Sequence, residues 1–429
     1  MSLQSPEGGL RDTVIERLDD KLQRLCAFLT EALGVVLRGR FIIVWGCGGL
    51  PEVFVKNTGS PAAAARHLAH GGVRPQRDDS QSEGESVLVS VVIPAYQAAR
   101  YIAQALDSVL TQTYVDFEVL VINDGSPDTD LLEQVLQPYL ASIRYFKQEN
   151  RGPSGARNTG ILQARGKYVA FLDSDDVWFP IHLASQMALL QKDPALGLVY
   201  GDSVLLKNDV PVDHAFGREP QASEVTFESL LRWNCTVGTS TTVASRQALI
   251  DAGLFDEQFM RCEDFDLWLR MAFRGVAMDY SRDATIFHRL TSDGLAADPA
   301  RMRLARIEVY EKIAAKLPVS DAQEKLIRSM IEKTEAFCQV VLAKKFLQEG
   351  EYSRALDAAK RASDVLDDWR LRVAVFGLRR FPRSLRHSHR AYEQMMDLRN
   401  RIGWGNSARN LKPLSLEPRP EVRPTEPVL

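Results

Sequence analysis

Cysteine is scarce and scattered in this chain of 429 residues: Cys26, Cys47, Cys235, Cys262 and Cys338 are odd in number and form no CxxC pair. That spacing excludes a disulfide framework or a cysteine zinc site as the organising element and fits a reducing compartment. A charge bias is missing too: 53 Lys and Arg stand against 56 Asp and Glu, a formal net charge of −3, so no nucleic-acid partner is expected. No apolar run approaches the ~20 residues that a membrane-spanning helix needs. The opening MSLQSPEGGLRD lacks the basic start and apolar core of a signal peptide. A soluble cytoplasmic protein is expected. The remaining composition, 45% hydrophobic and 25% charged, is that of an ordinary globular chain with room for a large core.

Four regions are expected along the chain. Residues 1–85 read as an N-terminal extension. Within it, TVIERLDDKLQRLCAFLTEAL places Val14, Ile15, Leu18, Leu22, Leu25 and Leu29 at helical spacing, and RFIIVWGCGGLPEVF reads as a strand and a glycine turn. Gly46, Gly48 and Gly49 lack the third glycine and the βαβ context of a dinucleotide fingerprint. The polar HGGVRPQRDDSQSEGES reads as a linker.

Residues 86–298 alternate between two periodicities. VLVSVVIPAY, FEVLVINDGS, IRYFKQ, KYVAFLD and LGLVYGD read as strands, separated by helices in RYIAQALDSVLTQT, DLLEQVLQPYL, GARNTGILQARG and HLASQMALLQKD. Continuous apolar strands between amphipathic helices predict an α/β fold, a mostly parallel sheet covered on both faces. Residues 299–405 read as a helical region. There AFCQVVLAKKFLQEGEYSRALDAAKRASDVL forms two helices around a Glu-Gly-Glu turn, a single hairpin rather than a repeat array. Within the same region, WRLRVAVFGLRRFPRSLRHSHR (369–390) mixes arginines with Val373, Val375, Phe376, Leu378 and Phe381. Two readings stay open for it: contact with an anionic membrane surface, or a solvated basic helix packed on the rest of the chain. The tail, 406–429, is Pro-rich and reads as disordered.

Polar clusters gather where the strands stop. The first strand ends at Pro94-Ala95-Tyr96, the second at Asn123-Asp124-Gly125-Ser126 and the fourth at Asp173-Ser174-Asp175-Asp176. Open parallel sheets bind ligands outside the carboxyl ends of their strands. Asn-Asp-Gly-Ser is also ordinary turn and cap chemistry. Asp-Ser-Asp-Asp is more pointed. If the strand continues to its end, Asp173 and Asp175 lie on one face, and a hard divalent cation such as Mg²⁺ or Mn²⁺ relieves their repulsion while binding substrate phosphates. The competing reading is a solvated acidic turn, which has no need of so apolar a strand in front of it. Further along, Glu263-Asp264 opens FDLWLRMAF as acids in a first helical turn, with Phe265 and Trp268 expected in the core and Asp266 as a solvated or structural carboxylate rather than a second base.

Three stretches, VSVVIPAYQAARYIAQALDSVLTQTYVDFEVLVINDGSPD, NRGPSGARNTGILQARGKYVAFLDSDDVWFP and GLFDEQFMRCEDFDLWLRMAFRG, together resemble a family 2 glycosyltransferase of the GT-A fold over about residues 87–295. The resemblance implies a Rossmann-like sheet and an inverting transfer from a nucleotide-sugar donor, a uridine diphosphate sugar, to a glycan or lipid-linked acceptor. It implies Pro94, Ala95, Tyr96, Asp124 and Arg157 around the nucleotide, Asp173 on the ribose and the metal, Asp175 on the metal and Asp176 toward the donor sugar. Asp264 matches the general base. Members often add a metal-binding histidine; His288 in IFHRLTSDGLA offers one, although the register puts Thr291 at that place, and a packed core histidine is the other reading. Two alternatives remain. A sugar nucleotidyltransferase would want a Gly-rich loop with a basic signature after the first strand, which PAYQAARY does not supply. A non-catalytic sugar-nucleotide-binding or scaffold protein would not need Asp173, Asp175 and Asp264.

Overall fold

The computed structural model describes residues 88–218, 221–291 and 294–390; the expected N-terminal helix, the turn at Gly46–Gly49, the linker and the Pro-rich tail lie outside them. Among the described residues nine strands form one sheet in the order β3-β2-β1-β4-β8-β6-β9-β5, with β7 paired to β6. They are β1 (Val89–Ala95), β2 (Phe117–Asp124), β3 (Arg144–Gln148), β4 (Tyr168–Phe171), β5 (Val177–Trp178), β6 (Leu196–Lys207), β7 (Val210–His214), β8 (Val243–Ser245) and β9 (Ala277–Arg289). β3, β2, β1 and β4 run parallel. Beyond them β8 pairs antiparallel with both β4 and β6, and β9 runs parallel to β6. The α/β fold is thus parallel in its N-terminal half and mixed in its C-terminal half.

The apolar strands dictate this arrangement because both faces of the sheet are covered. β1 alternates its side chains. Val89, Val91 and Ile93 meet Ile102, Leu106 and Val109 of α1 (Ile102–Leu110), and Leu132 and Leu136 of α2 (Thr129–Leu136) join the same face. Val92 faces the other way, with Leu120 and Ile122, toward Ala156 and Ile161 of α3 (Gly152–Gln163). All of these are essentially without exposed surface.

The chain leaves β1 to one side for β2 and β3, then returns to β4 on the other side. That reversal creates a crevice at the carboxyl ends of β1 and β4, where open sheets of this kind bind ligands. Gly160 seats α3 deeply against β1: a Cβ there would lie 2.2 Å from Val92 Cγ1. The close approach carries Arg157, one turn earlier on the same helix, to the crevice.

Remaining helices are α4 (His182–Lys192), α5 (Ala215–Arg218), α6 (Phe227–Leu231), α7 (Arg246–Asp251), α8 (Glu263–Phe273), α9 (Pro299–Lys316), α10 (Asp321–Glu349), α11 (Tyr352–Val365) and α12 (Trp369–Arg380). The main core continues across residue 299, since Val309, Tyr310 and Ile313 of α9 share one cluster with Leu267 and Trp268 of α8. Tyr310 also donates its hydroxyl to the Leu231 carbonyl at 2.7 Å. The expected hairpin is present: α10 closes at Gly350, whose φ of +87° suits a residue without Cβ, and α11 returns along it on a row of buried alanines, Ala355, Ala358, Ala359 and Ala362. No helix of the described residues is long and apolar enough to cross a membrane.

Replacing Gly160 by alanine should overpack the α3–β1 contact and cost about 1–3 kcal/mol. Chemical denaturation measures it, and an unchanged midpoint would contradict this packing.

Candidate active site

Loops after β1 and β2 are stitched to each other. The Gln97 and Ala99 backbone N–H groups donate to Ser126 Oγ (2.7 Å) and Asp128 Oδ2 (3.1 Å). Asn123 serves the turn, accepting from the Ser126 N–H at 2.9 Å and donating to Thr129 and Tyr145. Gly125 sits at φ +61° with the Asn150 backbone N 2.7 Å from where a Cβ would be, so only glycine fits there. Asp124 Oδ1 accepts from Gln148 Nε2 (2.6 Å) and the Arg151 backbone N–H (2.9 Å), which fixes this buried carboxylate at the end of β2. Pro94 and Ala95 end β1 beside it, and Tyr96 stands beyond them, half exposed.

The acidic stretch is not strand. β4 stops at Phe171, and Asp173 to Asp176 form a turn closed by the Asp176 N–H on the Asp173 carbonyl at 3.0 Å. Strand alternation therefore does not place Asp173 and Asp175 together; the turn does. Asp173 Oδ1 accepts from Arg157 at 2.6 Å. Asp176 is buried. Its Oδ1 accepts the Arg289 N–H at 2.9 Å, and its Oδ2 lies 3.0 Å from His288 Nδ1. Burial opposes ionisation of Asp176, but the His288 charge and hydrogen bonds from His288, Ser240 and Arg289 hold it below the usual carboxylate range. Asp176 in turn raises His288 to about 9, so His288 Nδ1–H is the donor in that pair. Asp175 differs. Burial, then the charges of Asp176 and Asp173, push it up to about 7.

Asp264 is the second residue of α8, a helix entered through Cys262 in a left-handed conformation (φ 56°). Its Oδ2 accepts from Thr239 Oγ1 at 3.0 Å and its Oδ1 from the Phe265 N–H at 2.7 Å. Burial, then the neighbouring Glu263, push its carboxyl up to about 6, against the pull of Arg157 and both hydrogen bonds. Two links bring Asp264 to the acidic turn. Arg157 donates to Asp173 and, at 2.7 Å, to Glu263. Thr239 holds Asp264 while the adjacent Ser240 accepts the Asp173 N–H at 3.1 Å. Adjacent residues span only about 3.8 Å, so one cleft contains both acidic groups.

Comparison with known proteins gives the family. The glycosyl transferase family 2 model matches residues 90–253. The chain is 34% identical over 186 residues to the UDP-Glc:alpha-D-GlcNAc-diphosphoundecaprenol beta-1,3-glucosyltransferase WfgD of Escherichia coli, covering 43% of this chain and 70% of that protein. It is 30% identical over 289 residues to the uncharacterized glycosyltransferase RP339 of Rickettsia prowazekii, covering 65% of this chain and 86% of the relative. The chain belongs to glycosyl transferase family 2. Among solved structures, Staphylococcus aureus TarS 1–349 in complex with UDP-GlcNAc superposes with a TM-score of 0.49 at 19% identity, covering 72% of this chain and 92% of that one.

In this glycosyltransferase the expected site residues Pro94, Ala95, Tyr96, Asp124, Arg157, Asp173, Asp175, Asp176 and Asp264 all lie on the carboxyl-end side of the parallel strands. His288 is not a packed core residue: its side chain is 39% exposed and is held by Asp176. Phe265 and Trp268 are buried, and of the two readings of Asp266 the structure bears out the structural one, since it is buried and paired with Arg270 and Lys312. Sequence reasoning missed Glu263, Thr239, Ser240 and Arg289. Glu263 stood next to Asp264 and read as a helix-dipole acid. Thr239 and Ser240 sit in a stretch without periodicity, and only the fold shows what they touch.

Arg157→Met would leave the buried Glu263 and the Asp173 carboxylate without their partner, at a cost of about 3–5 kcal/mol. Lysine should not restore it, since one ammonium cannot form both arms of the fork. Equilibrium unfolding reads both variants, and a loss below about 1 kcal/mol would contradict a buried ionic bridge.

Proposed function

We propose that this glycosyltransferase inverts the donor sugar's anomeric centre in one displacement, moving it from a uridine diphosphate sugar to a hydroxyl of a glycan or lipid-linked acceptor, with Asp264 as general base. The observation that carries the reading is a half-buried carboxylate, raised to about 6, that Thr239 and Ser240 link to the acidic turn. A base in that range is ionised near neutrality yet basic enough to take a proton in the transition state. The new bond joins the acceptor oxygen to the anomeric carbon, the bond to the diphosphate breaks with its electron pair, and the proton goes to Asp264. Similarity to WfgD, named as a UDP-glucose transferase acting on a diphosphoundecaprenol lipid, supports the donor and acceptor classes and a place in polysaccharide or glycolipid synthesis.

The residues fit a divalent cation. Asp175 is crowded by two carboxylates and raised to about 7, and among the described residues it has no cation partner, so Mg²⁺ or Mn²⁺ would relieve a repulsion the turn creates. Asp173 keeps Oδ2 clear of its Arg157 bond for the same ion. No cluster of three or more ligating side chains occurs among the described residues, so the remaining ligands would be phosphate oxygens and water. When bound, the cation would neutralise charge developing on the leaving diphosphate. Asp176 already bonds His288 and Arg289, and its role is to anchor the turn. Asp124, Pro94, Ala95 and Tyr96 would frame the nucleoside, with Arg157 setting the Asp173 orientation.

Asp264→Asn should lower kcat by about a hundred- to ten-thousandfold, while thermal stabilisation by uridine diphosphate with Mn²⁺ persists. Retained turnover, or lost nucleotide binding, would overturn the assignment. Because the base must be deprotonated, kcat/KM should rise between pH 5 and 7 with an apparent pKa of about 6 and level off above it. A limb centred near 4 would show that the carboxylate is not held as described.

A further inference from the structure

We propose that the outer face of α12 and of the helical stretch that follows it (382–390) is a docking surface for an anionic lipid bilayer. Residues 369–390 contain arginine at 370, 372, 379, 380, 383, 386 and 390 and no Asp or Glu. Helical geometry separates two faces. Leu371, Ala374 and Leu378 are buried against α10 and α11, among Val340, Ala343, Leu347, Ala355 and Ala362. The opposite face turns outward Trp369 (50% exposed), Phe376 (55%) and, past the helix end, Phe381 (37%). Arg379, Arg380 and Arg383 are exposed among them.

These arginines are not committed elsewhere in the way their neighbours are. Arg372 pairs with Asp367 at 2.7 Å, and Arg386 and Arg390 reach the Gln348 carbonyl at 3.0 and 3.1 Å. Among the described residues no carboxylate lies within bridging distance of Arg379, Arg380 or Arg383. Two phenylalanines thus stand outward beside three guanidiniums that no carboxylate of the described residues pairs. Aromatic rings gain by settling at the boundary between headgroups and acyl chains, while the guanidiniums bind lipid phosphates from the same face. A nucleic-acid duplex, its bases already stacked on one another, would use the arginines but gain little from the exposed phenylalanines, and the chain's net charge of −3 disfavours it.

The inference stands on this face alone and does not require sugar transfer. Flotation of the full chain with vesicles tests it without donor, acceptor or turnover. The chain should float with phosphatidylglycerol-containing vesicles, not with pure phosphatidylcholine, and added salt should release it. Arg379→Glu, Arg380→Glu and Arg383→Glu together should weaken binding on the order of a hundredfold or more, with the same reversal at Lys325 and Lys345 of α10 as a control that keeps it. Phe376→Ser changes no charge and should weaken binding as well, which keeps the test open if the triple variant does not fold. Absence of anionic-vesicle binding, binding indifferent to both sets of substitutions, or binding to duplex DNA in place of vesicles would overturn the proposal.

Discussion

Arg157 is buried between two carboxylates that lie far apart in the chain, and the placement of Asp173 and of the Glu263-Asp264 pair depends on that fork. Asp173 comes from the turn after β4, Glu263 from the first residue of α8, and the guanidinium between them is 4% exposed. A charge so removed from water persists only when paired and hydrogen-bonded. Both acids are therefore fixed together, and the approach of α3 to β1 at Gly160 is what brings the arginine within reach. One acid of the Glu263-Asp264 pair is thereby occupied. Asp264 is left with two hydrogen bonds and no direct cation contact, which lets burial raise it toward neutrality.

The acidic turn divides its charge in the same fashion. Asp173 has Arg157, Asp176 has His288 and the Arg289 N–H, and Asp175 has neither. Three carboxylates in four residues are tolerable because two are neutralised from opposite sides, by α3 and by β9. The third is the one whose protonation burial and its neighbours favour. In the proposed mechanism that imbalance is what a cation-bound diphosphate corrects.

Much of this was legible before any coordinates. β1, β2 and β3 stood out as apolar or β-branched runs, and α1 to α4 as amphipathic segments between them, because a strand buried on both faces and a helix buried on one leave different periods in the sequence. The acidic ends of those strands pointed to the site for the same reason. What was hidden is tertiary. β9 reads AMDYSRDATIFHR, half-exposed over much of its length, so no apolar run marks it, yet it supplies His288 and Arg289. β8 is only three residues long and owes its existence to pairing with β4 and β6. Asp-Ser-Asp-Asp looked like strand because its predecessor is so apolar; the Asp176-to-Asp173 hydrogen bond bends it into a turn. Glu263 could not be separated from a helix-dipole acid until Arg157 was seen against it.

Whether the acidic turn and Asp264 face the two sides of one reacting sugar is decided most directly by diffraction from crystals grown with uridine diphosphate and Mn²⁺, locating the metal by its anomalous signal. The account predicts a manganese peak on the Asp175 carboxylate, the diphosphate beside it, and Asp264 across an open volume large enough for one sugar ring. A nucleotide bound away from the ends of β1 and β4, or a metal that ignores Asp175, would contradict it.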